Sequence, residues 1–523
     1  MPSRAQVLKI MQQTDVLLIN PPWVSKDENI WHGIKAAMPP LGLLTIAAQI
    51  EKHGYSVKVI DVHVEKLGAD ELKERIKEIN PRIVGISVLT ATALAAYKIC
   101  QLTKEISPKI LVVLGGVHVD ALPSEALRNP YVDIVVRGDG ERTFTKIVQR
   151  VPIEQINGIS YRQGDRLVHN PPTEVIMDLD SIPFPAYHLV PMEKYYPAIG
   201  AYRRLPAINL MMTRGCPGKC TFCNSAETTL RTRSAEKVVE EILRLKKTYG
   251  IREIQFYDDT FTIFKQNVFK FCELMVEQKV DVLWTAFVRA DCISDKMARA
   301  MKKAGCHQVM FGIESGDEQI RHNIRKPINE EITRRAIKSA RDAGLETRAA
   351  FMFGNEGETL ATMKKTLDFA IYLDVDIAIF NVTTPYPGTQ LFNWARKHGY
   401  LRTEDWNEYE MSQFLLNLPT ISGEEVMRFY EEAHKFFYSR PKAIWRRLLK
   451  IKNFHHLRDA MYAFVYIVLR HKLGTRGDVR RDWINLRLDD YLQYKVLEAQ
   501  RIFMTAESSH VNLTTQHFVS AKA

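Results

Sequence analysis

Three of the seven cysteines in this 523-residue chain fall within eight residues of one another, in the string RGCPGKCTFCN. Cys216, Cys220 and Cys223 are spaced C-x3-C-x2-C. Thiolates ligate soft metals and iron–sulfur clusters. Three of them can hold three corners of a 4Fe–4S cube and leave the fourth iron open. An open iron can take a substrate-like ligand, whereas a fully ligated site only builds structure, a contrast that zinc sites also display. A zinc knuckle would need a fourth ligand close by, yet no other Cys or His lies between residues 189 and 271. The remaining Cys100, Cys272, Cys292 and Cys306 stand singly within apolar patterns, as buried structural thiols do.

The elements around this string alternate in type. From about residue 15 to 150, short apolar runs (VLLIN, SVKVID, IVGISVL, ILVVLGG, DIVVRGDG) are separated by helical patterns such as ADELKERIKEIN. Near-continuous apolar strands between helices predict a doubly wound parallel sheet covered on both faces, an α/β class. Residues 151–205 are rich in proline and aromatics and read as a wrapping connector, with a hairpin-like GISYRQGDRLVHN. From 206 to 400, six strand patterns recur with helices between them. Each ends in a polar or glycine cluster, which predicts a partial β/α barrel whose chemistry gathers at the carboxyl ends of its strands. Residues 401–523 read as helical and basic.

The cysteine triplet after the first barrel strand, with Phe222 before its third cysteine, resembles the radical S-adenosylmethionine (SAM) superfamily. YDDTF (257–261), VRAD (288–291), GIESG (312–316), FMFG (351–354) and TPYPGT (384–389) extend the likeness to the subgroup with an N-terminal cobalamin-binding domain. That subgroup contains the anaerobic magnesium-protoporphyrin IX monomethyl ester cyclase and class B methyltransferases. The resemblance implies that the open iron chelates the methionine end of SAM, and that reductive cleavage gives a 5′-deoxyadenosyl radical which abstracts hydrogen from an unactivated carbon. It assigns Phe222, Arg289, Glu314 and Gly316 to SAM contacts, and Asp258 or Asp259 to the methionine amine. An electron donor such as flavodoxin or ferredoxin is implied as well.

In the first sheet, a ligand is expected at the carboxyl ends of the strands near the switch point. Pro21 follows strand one; Ser87, Leu89 and Thr90 follow strand three; Gly115, Gly116 and Val117 follow strand four; Gly138 and Glu141 follow strand five. The Ser-x-Leu and Gly-Gly pairs resemble cobalamin-binding domains, which makes these residues the expected cobalamin contacts. The D-x-H-x-x-G cobalt-ligand sequence of that family is absent after strand one. Asp61-Val62-His63 follows strand two instead, and His63 is read as a loop histidine. No P-loop and no G-x-G-x-x-G follows the first strand, so ATP and NAD are poorly supported.

The net charge is +11, from 72 Lys and Arg against 61 Asp and Glu. No nucleic-acid motif accompanies it. Arg440, Lys442, Arg446, Arg447, Lys450 and Lys452 interleave with Ile444, Trp445, Leu448, Leu449 and Ile451. Two readings stand: a helix on an anionic membrane, or a cationic cap on the barrel. MYAFVYIVL (461–469) leans toward a membrane or a hydrophobic substrate. No apolar run reaches the ~20 residues of a spanning helix and no signal peptide is read, so a cytoplasmic protein is expected, with peripheral attachment to the inner membrane face as a further expectation. The function expected is C-methylation of a hydrophobic substrate (lipid, tetrapyrrole or natural product). Oxidative cyclisation and a non-enzymatic iron–sulfur sensor are the alternatives.

Overall fold

The computed structural model describes residues 13–23, 36–198, 200–326, 328–411 and 413–449. Two sheets dominate it, the first parallel through its fifth strand and the second parallel throughout. The first contains β1 (Thr14–Asn20), β2 (Val57–Asp61), β3 (Pro81–Ser87), β4 (Leu111–Gly115), β5 (Ile134–Val136), β6 (Ile159–Gln163) and β7 (Arg166–His169). Their order is β2-β1-β3-β4-β5-β6-β7. Helices cover both faces, which is why consecutive residues Val16, Leu17, Leu18 and Ile19 are all buried. The chain reverses its winding between β1 and β3, and this switch point opens at the carboxyl edge.

The stretch expected to wrap as a connector begins differently. β6 and β7 form a hairpin that pairs antiparallel with β5 and so extends the first sheet. Without it β5 would expose an unpaired edge. The rest of the connector does wrap, and it is pinned by polar contacts. Glu253 accepts backbone N–H bonds from Arg203 (2.9 Å) and Arg204 (2.8 Å), and its other oxygen meets His307 Nε2 at 2.8 Å. Tyr187 donates to buried Glu241 at 3.0 Å.

The second sheet holds β8 (Ala207–Leu210), β11 (Glu253–Phe256), β12 (Leu283–Val288), β13 (Cys306–Glu314), β14 (Glu346–Phe353) and β15 (Ile377–Val382), all parallel and in simple sequence order. The six expected units are therefore present as an open barrel. A separate short ladder, β9 (Thr213–Arg214) with β10 (Arg231–Thr232), flanks the cysteine loop. Along β12 and β15 burial alternates, with one set of side chains packed under the helices and the other facing the lumen.

Helix Gly423–Ser439, opened by a Ser422–Glu425 capping box, packs on the outer barrel strand. Beyond it, helix Pro441–Leu449 pairs two of its cations with the barrel. Lys442 Nζ lies 2.9 Å and Arg446 Nη2 2.7 Å from Asp374, and the Arg440 guanidinium sits 4.1 Å over Phe437. These three act as a barrel cap, and the described apolar side chains Ile444 and Trp445 face solvent instead. The stretch 461–469 lies outside the described residues. Among the described residues no helix is long and apolar enough to cross a membrane.

The segment after the barrel returns to the first sheet. Trp406 is 1% exposed, donates from Nε1 to Glu125 at 3.0 Å and meets the His118 ring edge-on at 5.2 Å. Its removal would leave a cavity at this joint, so Trp406→Ala is expected to lower stability by about 3–5 kcal/mol. Urea unfolding followed by circular dichroism measures this; a loss below about 1 kcal/mol would mean that the segment only rests on the surface.

Candidate functional site

The cysteine loop is shaped by backbone contacts before any ligand is considered. Gly215 has φ 87°, and a Cβ there would stand 2.2 Å from the Thr229 carbonyl oxygen. Only glycine lets the two arms of the loop approach so closely. Thr228 N–H then bonds the Cys216 carbonyl at 3.1 Å, and Cys223 N–H bonds the Cys220 carbonyl at 3.2 Å. Loops from other strands strap it down: Thr221 N–H donates to Ile324 O (3.1 Å), Leu391 N–H to Thr221 O (2.8 Å), and Asn224 Nδ2 to Pro387 O (2.8 Å). Phe222 is half-buried and packs against the main core, so it anchors the loop.

Asp258 and Asp259 prove to be separable. Asp258 is 2% exposed and accepts from Met212 N–H (3.0 Å), Thr213 N–H and Thr213 Oγ1 (2.7 Å). Burial pushes its carboxyl up to about 7 against the pull of those donors. It is consumed in fixing the turn that leads to Cys216. Asp259 is the carboxylate left beside Cys223, bonded to Ser225 and raised by burial. Of the two carboxylates expected at the SAM amine, Asp258 is the one whose oxygens the backbone already takes.

The three cysteines are free and half-buried. Burial raises the Cys220 and Cys223 thiols, which a cluster's iron would reverse by binding thiolate. Gly218 N–H donates to Cys216 Sγ at 3.4 Å, and a Cβ on Gly218 would stand 3.2 Å from both that sulfur and Arg289 Nη1. Among the described residues no three His, Cys, Asp or Glu side chains converge as they would around a single ion. A cuboidal cluster asks instead for thiols spread over three irons, and an all-sulfur donor set cradled by a glycine fits that demand.

A cavity of about 650 Å³ opens beside this loop, lined among others by Cys220, Arg289, Asp291, Arg321 and Lys326. Arg289 grips Asp291 in a fork at 3.0 and 2.7 Å. Glu314, at the end of β13, takes a left-handed φ of 69° and pairs with Lys326 Nζ at 2.7 Å. A non-glycine residue held there is strained, and such strain concentrates at functional sites. Burial works against charge on Lys326; Glu314 and Cys220 outweigh it, so its ammonium is held charged. Gly312 makes room for this pair, since a Cβ would lie 2.6 Å from the Glu314 carboxylate. Gly316, expected to approach SAM, instead packs against helix Leu360–Leu373, where a Cβ would lie 2.7 Å from Lys365 O. Lys326 and Arg321 escaped the sequence reading, and Cys292, read as a buried structural thiol, is instead half-buried and lines the cavity. Lys326 sits in a loop and Arg321 in the short helix Glu318–Asn323, neither within a recurring motif.

At the first sheet, the expected cobalamin edge also divides. Leu89 and Val117 are 46% and 48% exposed, at the ends of adjacent strands beside the switch. A Cβ on Gly115 would find nothing closer than 3.8 Å. Exposed apolar side chains and free space suit a flat macrocycle. Pro21 is buried next to this edge and Ser87 closes β3 within it. Gly116 serves the backbone, because its φ of 103° and a 2.7 Å approach to Val88 O admit no side chain. Gly138 (φ 73°) is bound through its N–H to Asp120 at 3.1 Å. Thr90 turns inward to His118 Nδ1 at 3.3 Å. His63 follows β2, one strand outside the switch.

Glu141 corrects the sequence reading most. It is 4% exposed and binds Arg214 Nη2 at 2.7 Å, two residues before Cys216. Asp139 pairs with Arg231 and stands 3.7 Å from Arg214 Nη1. The start of helix Gly140–Val148, just after β5, is thus bolted by ion pairs to both strands that flank the cysteine loop, β9 and β10. Removing one partner strands a buried charge, so Glu141→Ala is expected to cost about 3–5 kcal/mol. Urea unfolding reads this directly, and a cost under about 1 kcal/mol would mark the bolt as a solvent-screened surface pair.

Comparison with known proteins agrees with this geometry. Residues 32–148 match the B12 binding domain family and residues 210–370 the radical SAM superfamily. The chain is 35% identical over 455 residues to an uncharacterized methyltransferase of Pyrococcus horikoshii, covering 86% of this chain and 96% of that protein. It is 31% identical to the anaerobic magnesium-protoporphyrin IX monomethyl ester cyclase of Rubrivivax gelatinosus, covering 68% of this chain and 66% of that one. The radical SAM methyltransferase TsrM from Kitasatospora setae, solved with cobalamin and a [4Fe-4S] cluster, has the same fold at a TM-score of 0.60 and 18% identity, over 75% and 76% of the two chains. The chain belongs to the radical SAM superfamily and carries a B12-binding domain ahead of its barrel.

Proposed function

We propose that the protein is a cobalamin-dependent radical SAM enzyme that methylates an unactivated carbon of a hydrophobic small molecule. The observation that carries this reading is the ion-paired joint between the B12-type sheet edge and the loop of Cys216, Cys220 and Cys223. Methyl transfer is favoured over cyclisation because the Pyrococcus relative, a methyltransferase by name, is 35% identical to this chain and the Rubrivivax cyclase 31%. When bound, the cluster and SAM supply the hydrogen-abstracting radical and cobalamin the methyl group.

The chain's own residues divide the work. Cys216, Cys220 and Cys223 are the cluster ligands, with Gly218 N–H stabilising one sulfur. Arg289 and Lys326 bring positive charge to a loop that carries three thiolates and to a carboxylate-bearing ligand beside it. Asp259 is poised for an ammonium, and Glu314 for a diol once Lys326 shares its charge. Leu89, Val117 and Gly115 form the apolar face for cobalamin. The barrel lumen excludes water with Phe287, Met310 and Ile379, and such walls suit an apolar substrate. The exposed Ile444 and Trp445 support a peripheral hydrophobic contact on the far side of the barrel cap, and an acidic flavodoxin or ferredoxin is the electron donor that fits the basic cavity rim.

Anaerobic reconstitution tests the reading. Wild-type protein should hold about four irons per chain, bind cobalamin, and release 5′-deoxyadenosine from SAM under strong reductant. Cys220→Ala should lose that release to the level of cluster-free protein while its circular dichroism stays native. Retained SAM cleavage in Cys220→Ala would remove the triplet from the mechanism. Glu314→Gln should weaken SAM binding by roughly tenfold, about 1.4 kcal/mol, with the iron content unchanged; equal affinity would take Glu314 out of the site.

A further inference from the structure

Deep in the barrel, away from the cysteine loop, a second cavity of about 150 Å³ is lined by Gln255, Tyr257, Thr285, Gln308 and Arg348, with Ala198 and Ala201 of the connector closing its floor. Most of its polar groups are already engaged by the protein. Gln255 Nε2 donates to Ala201 O at 2.9 Å, Gln308 Nε2 to Gly200 O at 3.2 Å, and Tyr257 OH to Gln255 at 3.3 Å. Arg348 is the exception. Its Nε is sealed from solvent without a hydrogen-bond partner, and among the described residues no carboxylate forms an ion pair with its guanidinium. The nearest acidic residue on its own strand, Glu346, is paired with Arg203 at 3.4 Å. Burial makes the charged guanidinium costly, and Tyr438, Tyr257 and Glu346 offset this only through space.

A guanidinium is a fork of donors built for planar or tetrahedral oxyanions. Proteins do not keep one half-sealed and unpaired without a use, because the desolvation is uncompensated. Its height in the barrel matters too. Arg348 lies four residues below Met352 on β14, and at about 3.3 Å per residue that is about 13 Å beneath the carboxyl end of the strand. Met310 stands level with Arg348 on the neighbouring strand, and Ala350, one step higher, stands level with Gly312.

We infer that Arg348 is the specificity determinant for a substrate with an oxyanion terminus, a carboxylate or a phosphorus oxyacid, seated at the barrel floor. The rest of the substrate runs up an apolar shaft, so the carbon to be methylated lies on the order of 10 Å from the anionic group. This rests on the proposed function, because it takes the lumen as the substrate channel, and it narrows the substrate from hydrophobic to amphiphilic acid.

The test uses the full-length, cofactor-loaded protein and three probes: benzoate, phenylphosphonate and the neutral benzyl alcohol. One of the two anions should raise the Tm of the wild type by roughly 2–4 °C, and which one does so identifies the oxyanion class. Benzyl alcohol should not. Arg348→Met should lose the shift, and its ligand-free Tm should equal or exceed that of the wild type, because an unpaired charge no longer has to be desolvated. Arg348→Lys should retain a smaller shift. An equal shift in Arg348→Met, no shift with either anion, or a ligand-free Tm of Arg348→Met below the wild type would overturn the assignment. SAM cleavage by the same wild-type sample separates the two readings: cleavage without an anion-dependent shift refutes the anion site alone, and a shift without cleavage refutes the enzyme reading alone.

Discussion

Four charged side chains, Asp139, Glu141, Arg214 and Arg231, set the relation between the two halves of this molecule. Their burial is expensive, since each charge leaves water, and buried pairs of this kind add little net stability over an apolar packing. Their worth is directional. Hydrophobic contact between two domains can slide, but a carboxylate–guanidinium fork has one geometry. Because the arginines bracket the cysteine loop and the carboxylates open helix Gly140–Val148 just after β5, the ion pairs fix the cluster loop against the carboxyl edge of the B12-type sheet. The PYPG loop adds a third contact, with Gly388 so near Ala121 that a Cβ there would stand 2.9 Å away. Hydrogen abstraction from one side and methyl donation from the other would meet at one substrate carbon only if such a joint holds still.

Around the barrel mouth, acidic residues that look equivalent do different jobs. Asp258 spends its oxygens on the backbone at Met212 and Thr213, and in doing so aims the chain toward Cys216. Asp259, its neighbour, faces the loop. Glu314 and Lys326 neutralise one another, so that a buried carboxylate and ammonium are kept ready without an uncompensated charge. Arg289 is held by Asp291 in the same manner. The site is assembled from ion pairs that a ligand could exchange into, which keeps the ligand-free cavity folded.

The sequence disclosed what local rules govern. Apolar runs such as VLLIN gave the parallel strands, the six-fold recurrence gave the barrel, and a thiol triplet of unusual density pointed to the cluster loop. Sequence failed where the answer depends on what faces a residue across space. Glu141 follows a strand end as a ligand contact would, and only the position of Arg214 reveals it as half of a bolt. Gly316 sits in a motif with ligand-approach glycines but fits a helix packed behind it. Lys442 and Arg446 have the spacing of a membrane-facing helix, yet both pair with Asp374, in a turn some seventy residues earlier. Arg348 carries no motif at all; its meaning lies in the partner it lacks.

The account stands on a rigid coupling between the cobalamin edge and the cluster loop. Pulsed dipolar electron paramagnetic resonance between Co(II) cobalamin and the reduced cluster, in the reconstituted wild-type protein, measures that coupling directly. A single narrow distance is expected, broadening when Arg214 is replaced by Gln. A broad distribution in the wild type, or an unchanged narrow one in Arg214→Gln, would contradict the claim that these ion pairs hold the two cofactors in line.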